Sequence, residues 1–176
     1  MKSEENVSPP FELLLKVFLP FAGGYYLSYL YRTVNAIISP DLVREFGLGP
    51  DDLGLLTSSY FLTFALFQLP LGILLDRYGP RRVNAGLLML AGIGAALFGL
   101  SQSLAGLIVA RALIGLGVSG CLMSSMKVFT LWFPLNRLAT LNGWLLSFGG
   151  LGALSASVPA EELLRVPDWH SLFLLL

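Results

Sequence analysis

Tyr25, Ser28, Tyr29, Arg32 and Asn35 recur at steps of three and four residues, so on a helix they share one face. A guanidinium in such a stripe can hold a carboxylate or a phosphate through two parallel N–H···O bonds, with the tyrosines framing it. The competing role for Arg32 is an ion pair with a carboxylate on another segment. A second arginine, Arg111, begins the run R-x-x-x-G-x-G that ends in Gly115 and Gly117. Arginine deep in a membrane helix costs about 2.5–3.5 kcal/mol on insertion scales, so it faces a cavity or a partner. Arg111 is thus either a structural hydrogen-bonding residue or one that lines a cavity. The third charged feature is a turn, G-x-x-x-D-R-x-G-x-R-R, made by Gly72, Asp76, Arg77, Gly79, Arg81 and Arg82 with Pro80 between them. Asp76 falls at a helix C-terminus, where the helix dipole is already negative, and needs something positive against it. Arg77, Arg81, Arg82 or the N-terminus of another helix can supply that charge. Gly79 and Pro80 are suited to a tight turn.

The elements that must carry these residues are membrane helices. Hydrophobic residues are 55% of the chain and charged residues 12%, with a mean hydropathy of +0.74. An ordinary soluble domain is roughly 25% charged. Five apolar segments approach the roughly 20 residues that cross a bilayer: Lys16–Ser39, Leu53–Leu75, Val83–Leu100, Leu104–Phe129 and Leu138–Val158. A sixth run opens at Trp169 and reaches only Leu176, so the chain reads as cut inside a helix. The expected fold class is an all-α membrane protein, an N-terminal helical bundle of five complete transmembrane helices and the start of a sixth. Residues 1–15 are expected to form a cytoplasmic N-terminal segment and residues 16–176 the bundle. Met1–Pro10 has Glu4 and Glu5 beside Lys2 and lacks the basic region of a cleaved signal peptide, so the first segment is expected to be retained.

Basic residues set the orientation. Lys2, Lys16, Arg77, Arg81, Arg82, Lys127 and Arg137, seven in all, fall on one side, and only Arg44 and Arg165 on the other. That asymmetry puts the N-terminus and the Asp76–Arg82 turn in the cytoplasm, and the Asp41–Asp52 and Glu161–Asp168 loops outside. Small residues four apart, Ala91/Ala95/Gly99, Gly149/Ala153 and Gly152/Ala156, are expected to let helices approach closely. A net charge of zero gives no basic patch for nucleic acid. The lone Cys121 gives neither a disulfide framework nor metal-ligand spacing, and is expected to pack as a small apolar residue. No Ser/His/Asp set, carboxylate pair or metal cluster falls in the membrane plane, so neither enzymatic activity nor a cofactor is expected.

The Gly72–Arg82 turn resembles the loop between helices 2 and 3 of the major facilitator superfamily of secondary transporters. Pro80 stands where many members have a basic residue. The Arg111–Gly117 run is similar to that superfamily's helix-4 motif, and Trp132-Phe133-Pro134 with Arg137 resembles its aromatic-proline turn before helix 5. Asp168-Trp169-His170 resembles the entry to helix 6, with His170 an interfacial residue. The resemblance implies the N-terminal half of a transporter that moves a small solute by alternating access in a lipid bilayer, the expected location being a bacterial inner membrane. It also implies a missing C-terminal half as partner, and a fragment that would not transport alone. In that setting the turn implies a conformational latch holding the halves together, the alternative being a loop that only fixes topology.

Within the superfamily, Tyr29-Leu-Tyr-Arg32, with Pro40 closing the helix, resembles helix 1 of the organophosphate:phosphate antiporters and the anion:cation symporters. That implies an organic or inorganic anion as substrate, bound by Arg32 with Tyr25, Tyr29 and Asn35. Gln68 replaces the helix-2 lysine of the phosphate antiporters and Leu146 their helix-5 histidine, while Tyr31 stands where many symporters carry aspartate. Gly149-Gly150 is followed by Leu151 rather than the proline of drug:proton antiporters, which counts against drug efflux. A non-transporting membrane sensor of the same fold is the other alternative.

Overall fold

A computed structural model describes residues 11–157 and Phe173. Among the described residues, five helices can be followed from end to end: α1 (Phe11–Phe46), α2 (Pro50–Tyr78), α3 (Pro80–Leu100), α4 (Leu104–Trp132) and α5 (Leu138–Ser157). The first four are long and apolar enough to cross a membrane. α5 has 20 residues but is diluted by Asn142, Ser147 and its glycines, so four spans rather than five meet that standard. The Glu161–Asp168 loop, Arg165, His170 and the opening of the sixth run lie outside the described residues, as do Met1–Pro10.

The helices start and stop where local chemistry directs. Pro50 and Pro80 sit in the first turns of α2 and α3, where a missing N–H costs nothing. Asp52 accepts from the Gly49 amide at 2.9 Å, satisfying one of the donors a helix start leaves free. At α4 the Ser103 hydroxyl accepts from the Gly106 amide at 3.3 Å. Gly47 (φ +64°) and Gly79 (φ +81°) occupy left-sided backbone conformations that side-chain-bearing residues rarely adopt, and they end α1 and α2. The expected tight turn at Gly79-Pro80 is present.

Pro40 does not close the first helix, contrary to expectation. α1 runs through it to Phe46. The proline removes the N–H that would reach the Ala36 carbonyl, and the Ser39 hydroxyl donates to that carbonyl instead at 2.8 Å. A side chain thus supplies the bond that the backbone lacks. α1 also holds a π-helical turn at Leu14–Phe18.

α4 is the most enclosed helix, packed against α3, α2 and α1, while α5 runs along α1. Across its most apolar window α4 is 56% buried and α2 only 17%, so α2 presents most of its surface outward. Leu62, Leu66, Leu69 and Ile73 are exposed on it. Close approach depends on glycine where one helix meets another's backbone. A Cβ on Gly117 would collide with the Leu87 carbonyl and the Ala91 backbone of α3, and one on Gly152 with the Tyr26 carbonyl of α1. Ala91 and Ala95 are buried at the α3–α4 seam, as small residues at four-residue spacing predict. Cys121 is buried among apolar residues.

Candidate functional site

Arg111 lies about two turns into α4 and is 1% exposed. Its guanidinium donates to the Tyr31 carbonyl at 3.1 Å and to the Asn35 side-chain oxygen, both on α1. The guanidinium carbon also lies 4.9 Å from the centre of the Phe98 ring and 5.8 Å from that of Phe173. Favourable cation–π contact of this kind strengthens in a desolvated site.

The three residues of the R-x-x-x-G-x-G run engage three different helices. Arg111 holds α1. Gly115 lies against the Tyr60 carbonyl of α2, with Thr63 beside it, and the Thr63 hydroxyl donates to the Ala112 carbonyl at 2.8 Å. Gly117 lies against α3. The period of a helix explains part of this: Gly117 is roughly 200° around the axis from Gly115 and faces the opposite neighbour, while Arg111, one turn from Gly115 on nearly the same face, reaches α1 through its long side chain.

Arg32 is half-buried one turn from Asn35. Its guanidinium carbon sits 5.1 Å from the Tyr29 ring centre, 5.6 Å from Phe61 and 5.4 Å from Phe64. No carboxylate pairs with it among the described residues. Tyr25 and Tyr29 are in edge contact, their hydroxyls 3.3 Å apart. Gly149 of α5 lies against both rings, where a Cβ would come within 2.7 Å of Tyr25 and 3.0 Å of Tyr29. The structure therefore brings Tyr25, Tyr29 and Arg32 together on one inward-facing stripe. Asn35 is on the same stripe but is engaged: its oxygen accepts from Arg111 and its amide donates to the Thr57 hydroxyl at 3.5 Å.

At the opposite end, Asp76 forms an ion pair with Lys127 of α4. None of Arg77, Arg81 and Arg82 pairs with it; Arg77 instead lies over the Tyr78 ring at 5.4 Å, and Arg81 and Arg82 are exposed. Gly72 is exposed, with nothing within 4 Å of the place a Cβ would occupy. It lines a groove of about 330 Å³ between α2 and α4 together with Leu75, Asp76, Met123, Met126 and Lys127.

Two participants escaped sequence reasoning. Lys127 counted only as a topological charge, because nothing in its spacing pairs it with a residue 51 positions earlier. Gln68 read as a lost lysine, whereas its amide donates at 3.1 Å to the Ser119 carbonyl. That carbonyl sits where α4 is interrupted between Val118 and Cys121.

An antiparallel helical bundle with apolar outer faces and an internal seam bearing two arginines defines a polytopic integral membrane protein. The chain belongs to the Major Facilitator Superfamily, whose profile matches residues 21–176. It is 27% identical to the probable sulfoacetate transporter of Cupriavidus necator over 86% of this chain and 35% of that protein. It is 28% identical to the niacin transporter of Acinetobacter baylyi, over 86% of this chain and 35% of the relative. An efflux pump of Aspergillus niger is 29% identical over 82% of this chain and 27% of its own length. The chain spans about a third of the length of the curated relatives it matches.

Proposed function

We propose that this chain forms one wall of a secondary transporter that carries a small organic monoanion, a carboxylate or a sulfonate, by alternating access. The observation that carries the reading is the contrast between the two arginines. Arg111 is enclosed and committed to Tyr31 and Asn35. Arg32 is half-buried, ringed by Tyr29, Phe61 and Phe64, and has no carboxylate partner among the described residues. Rings against its faces leave the in-plane N–H groups to an oxyanion, the geometry of bidentate recognition. One available guanidinium suits a single negative charge better than a phosphate dianion. Niacin, in the name of one relative, carries a single carboxylate and fits that charge, while sulfoacetate, in the name of another, presents the same oxyanion groups with two charges.

Tyr25 and Tyr29 frame the anion, and Asn35 acts through Arg111 rather than by touching substrate. The N-terminus and the Asp76–Arg82 turn face the cytoplasm, in a bacterial inner membrane. There Gly72, Asp76, Arg77, Gly79, Arg81 and Arg82 form a latch against the second half of the transporter, with Lys127 as an added member. The open groove beside Gly72 supports that reading, since it offers a helix room to approach.

The test is binding of radiolabelled carboxylates, sulfonates, phosphates and neutral solutes to the full-length protein. Arg32→Ala should cost about 2–5 kcal/mol of affinity for the preferred anion. Arg32→Lys should also be impaired, because an ammonium cannot reproduce the planar fork. Unchanged affinity in Arg32→Ala, or a cationic or apolar preferred solute, overturns the anion reading. The latter outcome would favour the efflux function named for the Aspergillus relative.

A further inference from the structure

The seam between α2 and α3 opens on a second groove, of about 350 Å³, walled by Leu74 and Tyr78 of α2 and by Arg82, Val83, Gly86 and Leu87 of α3. It lies across α2 from the Gly72 groove: at about 100° per residue, Leu74 and Tyr78 stand roughly 160–240° around the axis from Gly72 and Asp76. Arg82 lines this groove and not the other. A second half that closes on Gly72 therefore leaves the Leu74–Tyr78 face to lipid.

Gly86 gives the groove its depth, since nothing lies within 4 Å of the place its Cβ would occupy. Beyond it Met89, Ile93 and Leu97 are exposed, and their steps of three and four residues continue one stripe along α3. From Gly86 to Leu97 the stripe rises roughly 16 Å. Half of the ~30 Å hydrocarbon core is about the same depth, so the track is one leaflet long. Lipid tails are as apolar as these side chains, and transfer from water does not hold a chain here. Close contact along a concave track does.

The loop end of the groove carries positive charge that no carboxylate of the described residues offsets. Asp76 is the one acidic side chain of the Gly72–Arg82 turn, and it is paired with Lys127. Arg77, Arg81 and Arg82 have no carboxylate partner among the described residues. Arg77 lies over the Tyr78 ring, which brings a second guanidinium to the lip beside Arg82. Half-exposed Tyr78 is an aromatic of the kind that settles at headgroup level. Basic groups at that level attract anionic lipids, and a guanidinium matches phosphate geometry.

We propose that this groove binds one anionic glycerophospholipid, with an acyl chain laid over Gly86 and along Met89, Ile93 and Leu97. Its phosphate meets Arg82 and Tyr78, with Arg77 adding charge. An apolar track that ends in arginines fits a lipid, whereas a soluble phosphate would make no use of the track. The site depends on the chain spanning a bilayer and not on Arg32 or the identity of the substrate.

The experiment is native mass spectrometry of the full-length protein, delipidated in detergent and titrated with dioleoyl phosphatidylglycerol or dioleoyl phosphatidylcholine. The two lipids share their chains and differ in charge. Wild-type protein should bind the first phosphatidylglycerol more tightly than phosphatidylcholine. Arg82→Gln should weaken phosphatidylglycerol roughly fivefold, the weight of one basic residue at a charged lipid surface, and leave phosphatidylcholine unchanged. Gly86→Leu, which fills the groove, should lose binding of both lipids. Gly92→Leu adds the same bulk at another open position, about a third of a turn around α3, and should bind like wild type. Equal affinity for the two lipids, or a Gly86→Leu protein that binds like Gly92→Leu, overturns the site. Displacement of phosphatidylglycerol by glycerophosphoglycerol, its headgroup without chains, also overturns it by assigning the arginines to a soluble anion. Loss of lipid selectivity with Arg32-dependent substrate binding intact would reject this site and retain the substrate reading; the opposite pair of results would do the reverse.

Discussion

Arg111 and Asn35 are 76 positions apart in sequence and joined by a hydrogen bond in the membrane interior. The bond ties α4 to α1 one turn from Arg32, so the residue proposed to meet substrate and the residue that binds the bundle together share a single polar seam. The same guanidinium also holds the Tyr31 carbonyl, which leaves Arg111 committed to structure from two directions. Its two neighbours in the motif, Gly115 and Gly117, place the α2 and α3 backbones beside it.

Replacing Asn35 by leucine should therefore destabilise the bundle more than an exposed polar substitution would. A hydrogen bond to a charged group contributes about 1.5–3 kcal/mol, and the substitution leaves the buried guanidinium short of a partner. Reversible unfolding in mixed detergent micelles measures the loss. A change below about 0.5 kcal/mol would mean that Arg111 finds another acceptor.

The Asp76–Lys127 pair should behave differently. The Asp76 side chain is 77% exposed, and exposed ion pairs contribute about 0–1 kcal/mol to stability. Asp76→Asn and Lys127→Gln should leave the unfolding free energy of the full-length protein nearly unchanged while cutting its uptake rate. A large loss of stability with transport intact would assign the pair to folding rather than to a latch.

Glycines in α3 and α4 should divide sharply on substitution by alanine. At Gly115 and Gly117 the new Cβ would strike the backbone of another helix, and overpacking of this kind costs about 1–3 kcal/mol. At Gly86 and Gly92 nothing lies within 4 Å, and the gain in helix propensity, up to ~1 kcal/mol, should be felt without penalty. Parallel melts of the four variants check the division.

Orientation can be tested without a substrate. In cysteine-free protein, Asp51→Cys should react with a membrane-impermeant maleimide applied to intact cells, and Arg81→Cys only after permeabilisation. The opposite labelling would reverse the topology.

Much of the bundle was legible in the sequence because a membrane leaves a chain few choices. A run of apolar residues bounded by Pro50, Gly79-Pro80 or Ser103 has to become a helix in lipid, where unpaired backbone groups are too costly. The polar stripe on α1 followed from helical period, as did the small-residue faces of α3 and α5. Local chemistry could still mislead: Pro40 reads as a stop, and only the Ser39 hydroxyl on the Ala36 carbonyl shows why the helix continues.

Tertiary structure decided which partner each face meets. Period fixes the direction in which Arg111, Asp76 or Gln68 leaves its own helix, but it carries no information about the helix standing opposite. That choice depends on how whole faces of α1, α2, α3 and α4 fit together, with glycines admitting backbone contact at some places and side chains forbidding it at others. Lys127 therefore became Asp76's partner in preference to three arginines much nearer in sequence, and Asn35 went to Arg111. Arg32, one turn away, was left with aromatic rings and no carboxylate, because among the described residues no acidic side chain is carried to the middle of the packed helices.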